Sequence, residues 1–225
     1  IIALSSLCMA GQAAVLSATE QQKLNSTIAQ LNQLPKIQNK FTEQAKAQAL
    51  ILVAQTVKAN PNLAAALTEF AIRQGAGVTA TVKAITKVAP KQAAAIVESA
   101  IKASKPSMAA AIAAAALSVA PKQAAAITQA AITASPKHAA AITSAGISTA
   151  PSQTKTILQA AFKMGNSSED RRKVAIAADN AGIKIAVINQ VLRETTTNNK
   201  GQYEVFKQNQ QNTSDSTIII GSVND

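Results

Sequence analysis

Prolines recur about every fifteen residues through the middle of this 225-residue chain, and no other feature restricts its folding as strongly. They stand at Pro61, Pro90, Pro106, Pro121, Pro136 and Pro151. Proline fits the first turn of a helix, where its missing N–H costs nothing, but it breaks a helix interior and keeps the preceding residue out of the helical conformation. The spacing therefore disfavours one long helix or a heptad coiled coil and predicts a succession of short helices.

Between the prolines, the chain repeats a pattern of large and small apolar residues. A large one stands six positions after the proline, at Leu67, Ile96, Ile112, Ile127, Ile142 and Ile157. Another stands eleven positions after it, at Ile72, Ile101, Leu117, Ile132, Ile147 and Phe162. With small residues at positions three and ten, this is a helical and not a strand spacing. Each unit predicts eleven or twelve helical residues and a turn of about three, and the proline-free segment 75–89 is a degenerate unit.

The composition of these units indicates how their helices pack. Aromatic residues make up 2% of the chain and alanine supplies much of its 48% hydrophobic fraction, so the core closes only if the helices approach closely. Helices this short are marginal alone and gain stability by stacking on their neighbours. We predict an all-α fold, an α-solenoid-like stack of short (about 12-residue) antiparallel helices from a 15-residue Pro/Ala/Ile repeat, with helical caps.

Five segments are predicted along the chain. Residues 1–13 resemble a truncated secretory signal peptide, because an apolar run precedes small residues at Gly11 and Ala13. A frayed apolar helix is the alternative, and the run is too short for a transmembrane helix, which takes roughly 20 residues. Residues 14–60 form an N-terminal helical cap and 61–165 the repeat array. Residues 166–195 form C-terminal capping helices, and 196–225 a polar, Asn/Gln-rich flexible tail.

Residues suited to catalysis or metal binding do not gather in this sequence. His138 is the one histidine, and it stands where sibling units have glutamine, which indicates an exposed variable position. Glu169, Asp170 and Asp179 form the densest acidic group, but a helix N-terminus explains the first two. We predict no catalytic residue, no metal ligand and no cofactor. An enzymatic site across residues 168–194 is the remaining alternative.

Positive charge is the main functional signal. The chain has 22 Lys and Arg against 11 Asp and Glu, a net charge of +11. Lys91, Lys122 and Lys137 each follow the proline of a unit, at a helix N-terminus, where a cation is disfavoured by roughly 0.3–1 kcal/mol. In an antiparallel stack, Lys91 and Lys122 share one edge and Lys137 lies at the other. These three are the candidate anion-binding residues, and a purely solubilising charge is the alternative.

These features favour an exported, non-enzymatic helical-repeat scaffold or interaction protein, with the extracellular matrix as one setting. The alternative is a periplasmic or secreted module that binds polyanions. The expected partner is a protein or an acidic polysaccharide, and self-association stays open. Nucleic acid is disfavoured because the repeats offer few aromatic residues for base stacking. A modest row of hydroxyls beside alanines is also expected, at Thr128, Thr133, Thr143 and Ser148. Such a face suits a regular ligand such as a glycan or ice, but it is equally typical of a soluble helix.

Overall fold

Short α-helices follow one another along the described chain. The computed structural model describes residues 16–165 and 167–197, together with two strands nearer the C-terminus, so the predicted signal peptide lies outside the described residues. The described ranges contain eleven α-helices: α1 (Ala18–Asn32), α2 (Glu43–Ala59), α3 (Ala64–Arg73), α4 (Val78–Val88), α5 (Ala93–Lys102), α6 (Ala109–Leu117), α7 (Ala124–Ala134), α8 (Ala139–Thr149), α9 (Thr154–Met164), α10 (Ser168–Asn180) and α11 (Ile185–Thr197). The predicted all-α architecture is confirmed.

Each proline opens its unit as the sequence predicts, but the connecting turn differs from the expectation. Pro121–Gln123 forms a 3₁₀ turn, and α7 begins at the next residue. The other five prolines behave in the same way. The residue before the proline is not helical, Ala120 having φ −137° and ψ 57°, because the proline ring excludes it. The three-residue turn is thus itself a 3₁₀ helix. In some units only one residue, such as Ser135, separates this turn from the end of the preceding α-helix.

Residues 61–165 form the seven short helices that the repeat predicts, α3 to α9. Each of these helices contacts the next one and also the next but one. Odd-numbered helices therefore pack side by side in one layer and even-numbered helices in the other. Successive helices run antiparallel, because each contacts the next and only a short turn joins the two. This is the predicted α-solenoid-like stack, in which most contacts join neighbouring units.

The core is a continuous seam of the repeated apolar residues. The six that the sequence places at its centre are each at most 3% exposed: Ile96, Leu117, Ile127, Ile132, Ile142 and Ile157. The position ten residues after the proline is alanine in every proline unit except one, which has Gly146. A Cβ added at Gly146 would lie 3.2 Å from Leu117 Cδ1, so α8 and α6 approach as closely as these small residues permit. Alanine-rich composition thus produces tight packing.

The degenerate unit, α4, turns its apolar face relative to its siblings. Its sixth and eleventh positions are Thr81 and Thr86, and the bulk comes instead from Val82 and Ile85. All four side chains are buried. The Thr81 hydroxyl donates to Gly77 O at 2.6 Å. The Thr86 hydroxyl has no hydrogen-bond partner among the described residues.

Glycine replaces proline at the start of this unit because the chain leaves α3 through a left-handed residue. Gly75 has φ +83°. Its N–H donates to Ile72 O and the Ala76 N–H donates to Ala71 O, both at 2.9 Å, which closes the end of α3 as a Schellman motif. Lys40 Nζ donates to Arg73 O at 2.6 Å. The Lys40 side chain also crosses Gly75, where an added Cβ would lie 3.1 Å from its Cδ.

Helical segments flank the array at both ends. A hairpin with two residues in each strand, β1 (Lys36–Ile37) and β2 (Lys40–Phe41), follows Pro35 and joins α1 to α2. The C-terminal capping helices predicted over 166–195 are α10 and α11. Within the segment predicted as a flexible tail, the structure has β3 (Glu204–Lys207) and β4 (Ile219–Ser222), which pair antiparallel.

Candidate functional site

The three candidate lysines occupy equivalent positions in their units. Lys91, Lys122 and Lys137 are each the second residue of the 3₁₀ turn that opens the unit. All three side chains are exposed. None of them forms an ion pair with another described residue. These charges are therefore available to a ligand.

The backbone of these turns leaves one further donor open. In the unit of Lys91, the proline has no N–H, and the Gln92 N–H donates to Ala89 O at 3.0 Å. The Ala93 N–H donates to Pro90 O. The Lys91 N–H remains without a described acceptor, at the positive end of the helix dipole. The turns of Lys122 and Lys137 have the same hydrogen bonds.

The layers decide which lysines are neighbours. We call the side at which even-numbered helices end and odd-numbered helices begin the first edge, and the opposite side the second edge. Lys91 opens α5 and Lys122 opens α7, and these two helices pack directly against each other. Their starts are therefore separated at the first edge by about the 8–10 Å that separates packed helix axes. Lys137 opens α8 and lies at the second edge.

Two lysines that sequence reasoning missed also lie at the first edge. Lys58 is in the last turn of α2 and Lys87 in the last turn of α4. Both are exposed, and neither has an ion-pair partner among the described residues. Helix α4 contacts both α2 and α5. The first-edge lysines, Lys58, Lys87, Lys91 and Lys122, therefore stand on successive contacting helices. A lysine in a last turn is ordinary in a sequence, so nothing in the sequence marked the first two.

Carboxylates are distributed differently along the two edges. At the first edge, Glu20 of α1 accepts a hydrogen bond from Asn62 Nδ2 at 2.7 Å. That bond, with further ones from Ser17, holds the pKa of the Glu20 carboxyl below its ordinary value. At the second edge, two cations are neutralised within their own helices. Arg73 pairs with Glu69 at 2.8 Å, and Lys102 pairs with Glu98.

The expected row of exposed hydroxyls is only half present. Thr133 and Ser148 are exposed, but Thr128 and Thr143 are 1% and 0% exposed. They stand seven positions after the proline, between the core positions six, ten and eleven, so a helix turns them inward. The Thr143 hydroxyl donates to Ala139 O at 2.8 Å within its own helix. A flat Thr/Ala ligand surface at these four residues is therefore wrong.

The acidic residues considered for catalysis are not brought together. Glu169 and Asp179 lie near opposite ends of the 13-residue α10, about 15 Å apart along the axis. Glu169 pairs with Arg172 and Lys173, at 3.4 and 3.7 Å. The Arg171 side chain donates to Gly165 O at 3.2 Å. The contacts of Glu169 and Arg171 therefore stabilise the start of α10 and its connection to α9.

His138 makes a local contact that its sibling glutamines do not. Its Nδ1 lies 2.8 Å from Ser135 Oγ, three residues earlier. Ser135 is buried and stands where neighbouring units have alanine. This contact joins the residue before Pro136 to the last residue of the 3₁₀ turn that Pro136 begins. Among the described residues, no group of three His, Cys, Asp or Glu side chains is arranged to hold a metal ion.

The described helices include none that is both long enough and apolar enough to cross a membrane. Comparisons of the chain with protein-family models, with curated proteins and with solved structures found no match.

Proposed function

We propose that this protein is an exported, non-enzymatic helical-repeat scaffold whose outward side chains bind a partner. The supporting observation is that the units are uniform inside and varied outside. Ten residues after each proline stands a buried alanine or glycine. Directly after the proline stands an exposed residue that is Asn62, Lys91, Ser107, Lys122, Lys137 or Ser152. An array that keeps its core constant while its surface varies offers an extended surface for recognition.

Photo-crosslinking tests this scaffold role in cells that express the protein naturally. A photoreactive residue replaces exposed Ala111 in one layer or exposed Thr133 in the other, and a third variant carries it at exposed Lys23 of α1 as the control. We expect discrete products from the array positions that are absent from the control. The same diffuse labelling at all three positions would contradict a specific partner.

Export is the second part of this proposal, and it is motivated by the apolar run that ends in Gly11 and Ala13. We expect cleavage after Ala13, so that the mature chain begins at Ala14. Mass spectrometry of protein expressed from the full gene gives the N-terminus directly. An uncleaved chain confined to the cytosol would show that export is wrong.

A second candidate function, a secreted or periplasmic polyanion-binding module, is favoured by the unpaired lysines. Residues 61–165 contain ten Lys and Arg, all exposed, against two acidic residues, Glu69 and Glu98. Both acidic residues are ion-paired. We expect retention on heparin and alginate that falls steeply with salt. If low-salt retention does not exceed that on neutral dextran, this function is wrong.

A further inference from the structure

We propose that the first-edge lysines, Lys58, Lys87, Lys91 and Lys122, form one contact site for an acidic polysaccharide chain. This proposal rests on the polyanion-binding function and adds the place of binding and the class of ligand. The site is not a feature of one unit. It exists because helix ends from both layers meet at the same edge of the stack.

The spacing of these lysines lets their fields overlap. Neighbouring helices are about 8–10 Å apart, close to the Debye length of about 8 Å at physiological salt. One exposed lysine binds an anion weakly, because solvent screens a single pair. An anionic chain laid across four lysines contacts them together, so that the first contact holds the chain near the next. The ligand is thus expected to be polymeric and repeatedly charged.

The distribution of carboxylates favours anion binding at the first edge over the second. Second-edge Arg73 and Lys102 already have carboxylate partners, and Glu169 and Asp170 begin α10 at that edge. Along the first edge, carboxylates stand towards the two ends. Glu20 is held at the α3 turn by Asn62, Glu194 pairs with Lys155 at the start of α9, and Asp179 is near the end of α10. The lysines lie between these ends, and none is neutralised by a described ion pair.

The neighbouring side chains favour a polysaccharide over a nucleic acid. Gln92 and Gln123 lie in the same turns as two of the lysines and are partly exposed. Their amides suit sugar hydroxyls, while lysines suit sulfate or carboxylate groups. The aromatic residues of 16–195 are Phe41, Phe70 and Phe162, and none lies in the first-edge turns. A single-stranded nucleic acid would lack the stacking that such binders use.

The test compares two variants of the full chain that lose the same net charge. The first-edge variant carries Lys58→Gln, Lys87→Gln, Lys91→Gln and Lys122→Gln. The matched control replaces four other exposed lysines without described ion-pair partners, Lys23→Gln, Lys83→Gln, Lys105→Gln and Lys163→Gln. Circular dichroism establishes that both remain helical. Binding to heparin, to alginate and to random-sequence duplex DNA is then measured across a salt series.

We expect the first-edge variant to bind the polysaccharides about tenfold more weakly at physiological salt, with a salt dependence shallower by up to roughly four counterions. The control should stay near the unmodified protein. Equal losses in both variants would overturn the site while leaving the polyanion-binding function intact, because net charge alone would then explain binding. Failure of the unmodified protein to bind heparin or alginate would instead overturn that function. Tighter lysine-dependent binding of duplex DNA would overturn the polysaccharide assignment. Binding to alginate, whose anionic groups are all carboxylates, would show that the site does not require sulfate.

Discussion

At the scale of single residues, position within the unit decides which side chains face the core. Ile127 stands six residues after its proline and is fully buried in α7, which packs against α5 and α9 in its own layer. Thr128, one position later, is also buried, and its hydroxyl has no described hydrogen-bond partner. The core face therefore includes the seventh position whether an apolar or a polar residue stands there.

Ile127→Ala should destabilise the protein by about 2–5 kcal/mol, because it leaves a cavity that rigid neighbours fill only in part. Chemical denaturation of the two proteins measures the difference in unfolding free energy. Hydrogen exchange should show the loss chiefly in helices that contact α7, since contacts in the stack are local. Uniform loss of protection from α2 to α11 would contradict this locality.

Thr86→Val should stabilise the protein by about 1 kcal/mol, because it removes a buried hydroxyl whose desolvation no hydrogen bond compensates. Thr81→Val is the matched control in the same helix. Its hydroxyl is hydrogen-bonded to Gly77 O, so the replacement should cost about 0.5–1.5 kcal/mol. Thermal melts of both variants check the opposite signs. A loss of stability in Thr86→Val would mean that this hydroxyl is satisfied in solution.

At the scale of the helix, the proline turn sets where each element starts and which charges stand there. Lys91 and Lys122 lie in such turns, whereas Lys58, Lys87 and Lys163 lie in last turns. The helix dipole disfavours a cation in the first group and favours it in the second. Helices of nine to eleven residues, such as those of the array, have few turns to offset a misplaced charge.

Replacing Lys91, Lys122 and Lys137 together with glutamine should raise the unfolding free energy by about 1 kcal/mol at low salt, because it removes cations from helix starts. The gain should shrink as salt screens the dipole. The control replaces Lys58, Lys87 and Lys163, which removes the same charge from helix ends, and it should lower stability. Thermal melts at two salt concentrations compare the variants. A stability decrease in both triple variants would show that the helix dipole is not the controlling effect.

At the scale of the whole molecule, two glutamates connect the capping helices α1 and α11 to the repeat array. Glu194 of α11 accepts hydrogen bonds from Lys155 Nζ at 3.1 Å and Gln159 Nε2 at 3.2 Å, both on α9. The hydrogen bond from Lys155 is the main reason that the pKa of Glu194 lies below its ordinary value. At the other end, Glu20 of α1 has a lowered pKa chiefly through Asn62 of the first proline unit. Both contacts join a cap to the array.

Lowering the pH should therefore destabilise the capping helices α1 and α11 before it destabilises the middle of the array. A carboxyl whose pKa is lower in the folded state stabilises that state above its unfolded pKa of about 4.5. This contribution is lost as the pH falls through the lower, folded value. Hydrogen exchange, corrected for intrinsic rates, should show that α1 and α11 lose protection as the pH falls below about 4.5, while α7 retains its protection. Glu194→Gln should remove the response of α11 alone, and simultaneous loss in α7 would contradict the prediction.

Much of the fold was predictable because its signals are local. The proline spacing located the helices of residues 61–165, and the positions six and eleven residues later identified core residues such as Ile96 and Leu117. The inward turn of Thr128 and Thr143 was also present in the sequence, since the seventh position completes the helical face, although it was interpreted as surface. The 3₁₀ form of the turns was not apparent, because their hydrogen bonds depend on the exact backbone path after each proline.

The sequence by itself determined the length, order and core face of the repeated helices, because proline geometry and apolar periodicity act within one unit. An antiparallel stack already predicts that Lys91 and Lys122 share an edge, but only the tertiary structure shows which helices contact each other there. Lys58 and Lys87 join Lys91 and Lys122 there because the chain reverses direction at each turn and alternate helices pack in a common layer. That meeting depends on contacts between units more than twenty residues apart, which a local pattern does not encode.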